Sequence, residues 1–117
     1  MEQIRIETEI ARRLAREGQE RALDRAERDT PSWGDLALAW LRRYAERHAE
    51  FPAWFATQEA ERDPDFPAPS NPRAWGAIWK RAQRERIVRA SGRTLPHPKR
   101  HGCPAVVWMS LVYEAKA

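Results

Sequence analysis

Basic side chains recur at helical spacing within residues 71–86 and share one face. At about 100° per residue, Arg73, Lys80 and Arg84 fall on the same side of a helix. Arg81 lies at the border of this side, and small residues separate the charges. Arg and Lys donate hydrogen bonds to phosphate oxygens and to guanine O6 and N7. A helix that enters the major groove of DNA needs such a face, so the pattern predicts contact with a nucleic acid.

More cations follow in residues 91–104, which read SGRTLPHPKRHGCP. Here Arg93, Lys99 and Arg100 are expected to contact phosphates from an exposed loop. Residues 71–101 hold nine Lys and Arg against one acid, whereas the rest of the chain holds 12 basic and 16 acidic residues. Positive charge confined to about a quarter of a chain is typical of a polyanion-binding surface. The alternative, that a surface helix simply needs solvated charges, stays open at this point.

The sequence gives little indication of a metal site or of catalysis. The spacing of His97, His101 and Cys103 could hold a metal ion only with a fourth ligand, and no second cysteine cluster supplies one. The sequence has no glycine-rich phosphate loop, no nucleophile motif and no group of carboxylates near the basic segment. We therefore expect a non-enzymatic protein without metal or cofactor.

Composition and hydropathy indicate the cellular setting. The lone cysteine cannot form an internal disulfide, which favours a reducing compartment. No apolar run reaches the roughly 20 residues of a membrane span, and the first residues lack the apolar core of a signal peptide. These features predict a cytoplasmic protein without a membrane partner.

The 117 residues suffice for one small domain with an extension. Residues 1–30 are predicted to form a helical arm, as one helix weakened at Gly18 or as two pieces, and residues 31–117 the domain. In the arm, Ile6, Ile10 and Leu14 form an apolar stripe without an evident partner within the chain. The arm is therefore expected either to pack lightly on its own domain or to bind a second copy or another protein.

Three amphipathic helices are predicted in the domain, over residues 33–48, 52–62 and 71–86. Ser32 and Asp35 have the spacing of a capping box for the first. In the third, Trp75, Ile78 and Trp79 lie opposite the cations and are expected to face the core. Ala82 joins the same face.

Two strands are predicted after the third helix, over residues 87–90 and 105–113, and residues 91–104 are expected to join them as a loop. On the second strand, alternation places four side chains on one side: Val107, Met109, Leu111 and Tyr113. The fold class expected is therefore mainly α with a small β-hairpin.

This order of elements resembles the winged helix-turn-helix family over residues 32–113. The runs 17–45, 73–88 (RAWGAIWKRAQRERIV) and 104–111 (PAVVWMSL) also resemble small bacteriophage and prophage proteins encoded near replication or recombination genes. The resemblance implies a winged-helix domain with a helical extension, in a bacterial host cell. In the winged-helix family the third helix usually enters the major groove and the wing contacts the backbone or the minor groove. One departure is the link at residues 63–70, which has three prolines instead of a tight turn.

Together these observations predict an accessory protein of replication, recombination or regulation that binds nucleic acid, most readily duplex DNA. The alternative is an inhibitor or adaptor that docks its basic face on a host protein. In either case the scaffold is the same, and only the ligand differs. The nucleic-acid contacts predicted from the sequence are Arg73, Lys80, Arg81, Arg84, Arg93, Lys99 and Arg100.

Overall fold

A computed structural model describes residues 2–98 and 100–114, without the side chains of residues 2–7 and 100–103. In this part the chain forms four helices and a three-stranded antiparallel sheet. A mainly helical fold with a small sheet is therefore confirmed. The helices are α1 (Glu2–Asp29), α2 (Trp33–Arg47), α3 (Ala53–Arg62) and α4 (Ala74–Arg84). The strands are β1 (Glu50–Pro52), β2 (Val88–His97) and β3 (Arg100–Ser110).

The arm is one continuous helix, α1, and Gly18 does not interrupt it. Its second half packs on the domain, where Ala22 and Ala26 are buried against the core. In its first half Ile10 and Leu14 are 46% and 60% exposed. Neither α1 nor any other helix in the described ranges is long and apolar enough to cross a membrane.

The start of α2 differs from the predicted capping box. Ser32 has φ 63°, in the left-handed region, and its hydroxyl caps no backbone group of the helix. The carboxylate of Glu27, on α1, accepts a hydrogen bond from the Gly34 N–H at 3.0 Å instead. An otherwise unpaired N–H of the first turn is thereby satisfied by another helix. The capping-box prediction was wrong, because Ser32 has left-handed backbone angles where a capping residue ordinarily has extended ones.

Aromatic side chains form the centre of the core. Trp75 on α4 lies 5.5 Å from Trp33 and 6.4 Å from Trp40, between ring centroids, with both pairs near edge-to-face. Phe66, from the proline-rich connector, packs on the same three rings. The indole N–H of Trp33 donates to the Pro67 carbonyl at 2.8 Å, so the connector is attached to the core. The predicted core face of α4 is confirmed, with Trp75, Ile78, Trp79 and Ala82 all buried.

The sheet has the order β1-β3-β2. The short strand β1 was not predicted, since residues 51 and 52 were expected to begin a helix. Phe51 pairs with Trp108 and is buried, and Pro52 has extended backbone angles, so α3 begins one residue later, at Ala53. A three-residue strand has too short a pattern to be recognised without its partner, β3.

The hairpin also differs from the prediction, because its strands run through most of the expected loop. Between Ala90 and Thr94 the register with β3 shifts, and Gly92 there has φ 86°, which favours glycine. The strand β3 ends at Ser110. Leu111 and Tyr113 therefore lie beyond it and are exposed, so the alternation predicted for residues 107–113 was wrong.

The end of α4 offers a direct stability prediction. Arg86 has φ 57°, Ile87 N–H donates to the Ala82 carbonyl at 2.9 Å, and Arg86 N–H donates to the Gln83 carbonyl at 3.1 Å. This is a Schellman motif, whose left-handed position favours glycine. Arg86→Gly should therefore raise the free energy of unfolding by up to about 1 kcal/mol, measured by urea denaturation. As a control, Arg89→Gly, in β2, should lower it, and a loss of stability in Arg86→Gly would contradict the expectation.

Candidate nucleic-acid interface

The C-terminal half of α4 presents two exposed cations, Lys80 and Arg84. Both lie on the face opposite Trp75 and Trp79, as the helical spacing requires. No carboxylate of the described residues lies within ion-pair distance of either one. Neither side chain is held by a described carboxylate, so both can bind an anion from solution.

Arg81, at the border of this face, is held by two carboxylates. Its guanidinium donates to Asp35 at 2.8 Å and to Glu85 at 2.9 Å. The hydrogen bond with Asp35, followed by that with Glu85, raises the pKa of Arg81 above its usual value. Because Asp35 belongs to the first turn of α2, Arg81 links α2 to α4 across 46 residues of sequence. Two of the five N–H donors of its guanidinium are therefore already directed at protein acceptors.

The N-terminal half of α4 lies under α1. A Cβ atom built on Gly18 would stand 3.3 Å from a guanidinium nitrogen of Arg73, so Arg73 extends along α1. A Cβ built on Gly76 would stand 2.5 Å from the Gln19 side chain, closer than real contacts allow. Any larger residue at position 76 would therefore require the flexible Gln19 side chain to move.

The hairpin contributes fewer described cations than expected. Arg93 forms an ion pair with Glu50 of β1. Lys99 and the side chain of Arg100 lie outside the described residues. Arg89 is exposed on β2. His97 packs its ring 5.3 Å from that of Trp54, which brings the hairpin tip near α3.

A groove of about 890 Å³ lies between α1, α3, the N-terminal half of α4 and the hairpin. It is lined by Leu14 and Gln19 of α1, Trp54 of α3, Trp79 of α4 and His97 of β2, among others. Most of its lining is apolar, and Arg73 and Glu61 contribute opposite charges. This mixed surface was not predicted, because its walls come from four separate segments.

The apolar stripe of α1 and the possible metal ligands are the other residues singled out from the sequence. The exposed side chains of Ile10 and Leu14 lie on the first half of α1, where Leu14 also lines the groove, and the side chain of Ile6 lies outside the described residues. Within the described ranges no three His, Cys, Asp or Glu side chains come together as a metal site would require. His101 and Cys103, from the metal spacing considered above, have side chains outside those ranges.

The carboxylates that pair with Arg81 and Arg93 were not identified from the sequence. Glu85 stands four residues after Arg81, a spacing that signals a helical ion pair. Asp35 and Glu50 carry no such local signal, since each reaches its arginine only through the tertiary fold. The predicted stripe is thus divided into a paired residue, a residue extended along α1 and two cations without described partners.

Comparison with known proteins adds no further constraint, since no protein-family model, curated protein or solved structure matches the chain. The function of the interface therefore rests on its own geometry. Lys80 and Arg84 together can hold phosphate oxygens about one helical turn apart along α4.

Proposed function

We propose that this chain is a non-enzymatic winged-helix protein that binds nucleic acid, in the first place duplex DNA. The observation that carries the proposal is the pair of cations at Lys80 and Arg84, both exposed and in no ion pair with a described carboxylate. A face that needed only solubility would be served equally well by cations paired with acids, as Arg25 is with Asp29 on α1. When unpaired cations of a protein bind phosphates, they displace the counterions condensed on the DNA, and this release favours binding.

The fold is compatible with this role. Three helices, α2 to α4, are followed by a hairpin, and the short strand β1 pairs with β3 at the sheet edge. In a winged helix the third helix and the hairpin contact DNA together. The corresponding elements here are α4 and the β2–β3 hairpin. The burial of Trp75 and Trp79 beneath α4 gives its charged face a rigid support.

The proposal predicts a salt-dependent affinity for duplex DNA. Fluorescence anisotropy of a labelled duplex, titrated with protein at about 50 and 200 mM salt, should show binding that weakens tenfold or more at the higher concentration. This loss corresponds to the displacement of counterions from at least two phosphates. The same titration with the single strand serves as the control for duplex preference. Absence of binding to either form at the lower salt concentration would contradict the proposal.

The second candidate function is docking on a host protein, and one observation favours it. The helix α1 covers the N-terminal half of α4, while the adjoining groove of about 890 Å³ is open and largely apolar. Duplex DNA has no apolar protrusion of matching shape, whereas a protein partner could fill such a groove. Binding of a protein partner at this groove, by a chain that binds neither DNA form, would favour this candidate.

A further inference from the structure

The groove between α1, α3, α4 and the hairpin has the size and the surfaces of a site for a flat organic group. Its volume is about 890 Å³, and sites that hold a small organic molecule usually enclose roughly 300–1,000 Å³. The half-buried rings of Trp54 and His97 line it, with their centroids 5.3 Å apart and their planes tilted by 56°. Nucleobases of every kind stack on aromatic side chains, because each has a flat π-face. The groove therefore offers stacking surfaces to a base.

The groove adjoins the proposed phosphate contacts on α4. Gly76 lines the groove, and Lys80 follows it by four residues, so the two positions are neighbours on the surface of the helix. Arg73, whose side chain is exposed, lines the groove as well and shares its helical stripe with Lys80 and Arg84. A strand whose phosphates contact Lys80 and Arg84 would therefore have its adjoining nucleotides at the edge of the groove.

The polar groups of the groove suit a base together with one phosphate. Glu61 and Arg73 both line it, and they are not joined in any ion pair of the described residues. A carboxylate repels phosphates but accepts hydrogen bonds from exocyclic amino groups, such as N4 of cytosine. Gln19 adds a buried side-chain oxygen without a hydrogen-bond partner among the described residues, and an N–H of a ligand would satisfy it. The groove thus combines a cation for a phosphate with acceptors for the edge of a base.

A base within a duplex cannot enter the groove, because its faces are stacked and its edge is paired, whereas an unpaired base enters without the cost of unstacking a pair. We propose that the groove binds an unpaired nucleotide next to the duplex, an inference that rests on the proposed function. The base lies against the ring of Trp54 and donates to Glu61, while its phosphate contacts Arg73. The preferred ligand is then a duplex with a single-stranded tail rather than a blunt duplex.

Fluorescence anisotropy with blunt and tailed duplexes tests the proposal directly, with tails of both strand polarities on separate duplexes. At one polarity, a tail of about five deoxycytidines should raise the affinity about tenfold over the same duplex with blunt ends, because a base of the tail stacks in the groove. The control is a tail of equal length made of abasic sites, which keeps the phosphates and lacks the bases. It should raise the affinity no more than about threefold, since it adds only charge.

A substitution on α3 removes the stacking surface. Trp54→Leu keeps an apolar side chain at this half-buried position but removes the ring, so the tailed duplex should bind no more tightly than the blunt one. The affinity for the blunt duplex should stay the same. The matched control is Phe55→Leu, which removes the neighbouring exposed ring outside the groove lining and should leave both affinities unchanged. Circular dichroism verifies that both variants are folded.

A second substitution tests the reading of the base edge. Cytosine and uracil differ only in the amino group or carbonyl oxygen at position 4, so a deoxycytidine tail should bind about fivefold more tightly than a deoxyuridine tail. Glu61→Gln should abolish this preference, because an amide can donate to the uracil oxygen as readily as it accepts from the cytosine amino group. Glu59→Gln, which changes an exposed carboxylate of α3 outside the groove lining, should retain it.

The outcomes separate this inference from the proposed function. If the chain binds the blunt duplex and the deoxycytidine tail adds nothing beyond the abasic tail, the inference is overturned while the proposed function stands. A tail preference that survives in Trp54→Leu overturns it as well, and the groove is then left to a protein partner. If neither the blunt nor the tailed duplex binds at about 50 mM salt, the proposed function itself fails.

Discussion

Replacing Trp75 with alanine is expected to lower the free energy of unfolding by about 3–5 kcal/mol. Its indole is buried and contacts three other aromatic rings, those of Trp33, Trp40 and Phe66. Truncation would leave a cavity at the point where α2, α4 and the proline-rich connector meet, and these elements cannot close it without shifting together. Urea denaturation followed by circular dichroism at 222 nm measures the loss.

The matched control is Phe55→Ala, which removes an aromatic ring that is 48% exposed on α3. This change should lower the free energy of unfolding by about 1 kcal/mol or less, because the ring has little buried area to lose. Unchanged stability in Trp75→Ala would show that the apolar face of α4 does not form the core.

Charge reversal at Lys80 and Arg84 together is expected to reduce the affinity for duplex DNA at least 100-fold at about 50 mM salt. The double change removes two phosphate contacts and places two acids where phosphates would lie, so repulsion adds to the loss. Both sites are exposed, and the free energy of unfolding should change by about 1 kcal/mol or less. Anisotropy gives the affinity, and denaturation verifies that the variant is folded.

The control for net charge is the reversal of Arg42 and Arg43 on the outer face of α2. It alters the total charge of the chain by the same amount on a different helix from the proposed contacts. A modest loss in this control beside the large loss in the Lys80/Arg84 variant would assign binding to α4. Equal losses would mean that the chain responds to overall charge, and undiminished binding in the Lys80/Arg84 variant would remove α4 from the interface.

Features that depend on local periodicity could be predicted from the sequence. The division of α4 into a buried face and a charged face follows from the spacing of Trp75, Ile78 and Trp79, since the period of a helix does not depend on its partners. The second amphipathic helix, α2, was predictable for the same reason, and its described bounds differ from the prediction only at the last residue.

Features that depend on distant residues could not be predicted in this way. The strand β1 has three residues and is recognisable only beside β3, about 57 positions later in the chain. The ion pairs of Arg81 with Asp35 and of Arg93 with Glu50 likewise join elements that the sequence does not place side by side. The covering of α4 by α1 required knowledge of how two separate helices cross. As a result, the sequence predicted which basic residues share the outer face of α4, but not which basic residues form ion pairs in the folded chain.

The strand order also constrains when this protein can fold during its synthesis. β3 lies between β1 and β2, so the ribosome makes the central strand after both of its neighbours. Until residues 100–110 emerge, Phe51 and Val88 have no central strand to pair with or pack beside, and the sheet cannot exist. The helices can pack around their aromatic residues before β3 is made. The stacking of Trp79 on Trp108, which completes the core, forms only after β3 has emerged. A nascent chain halted before β3 would therefore expose apolar surface and be a substrate for chaperones.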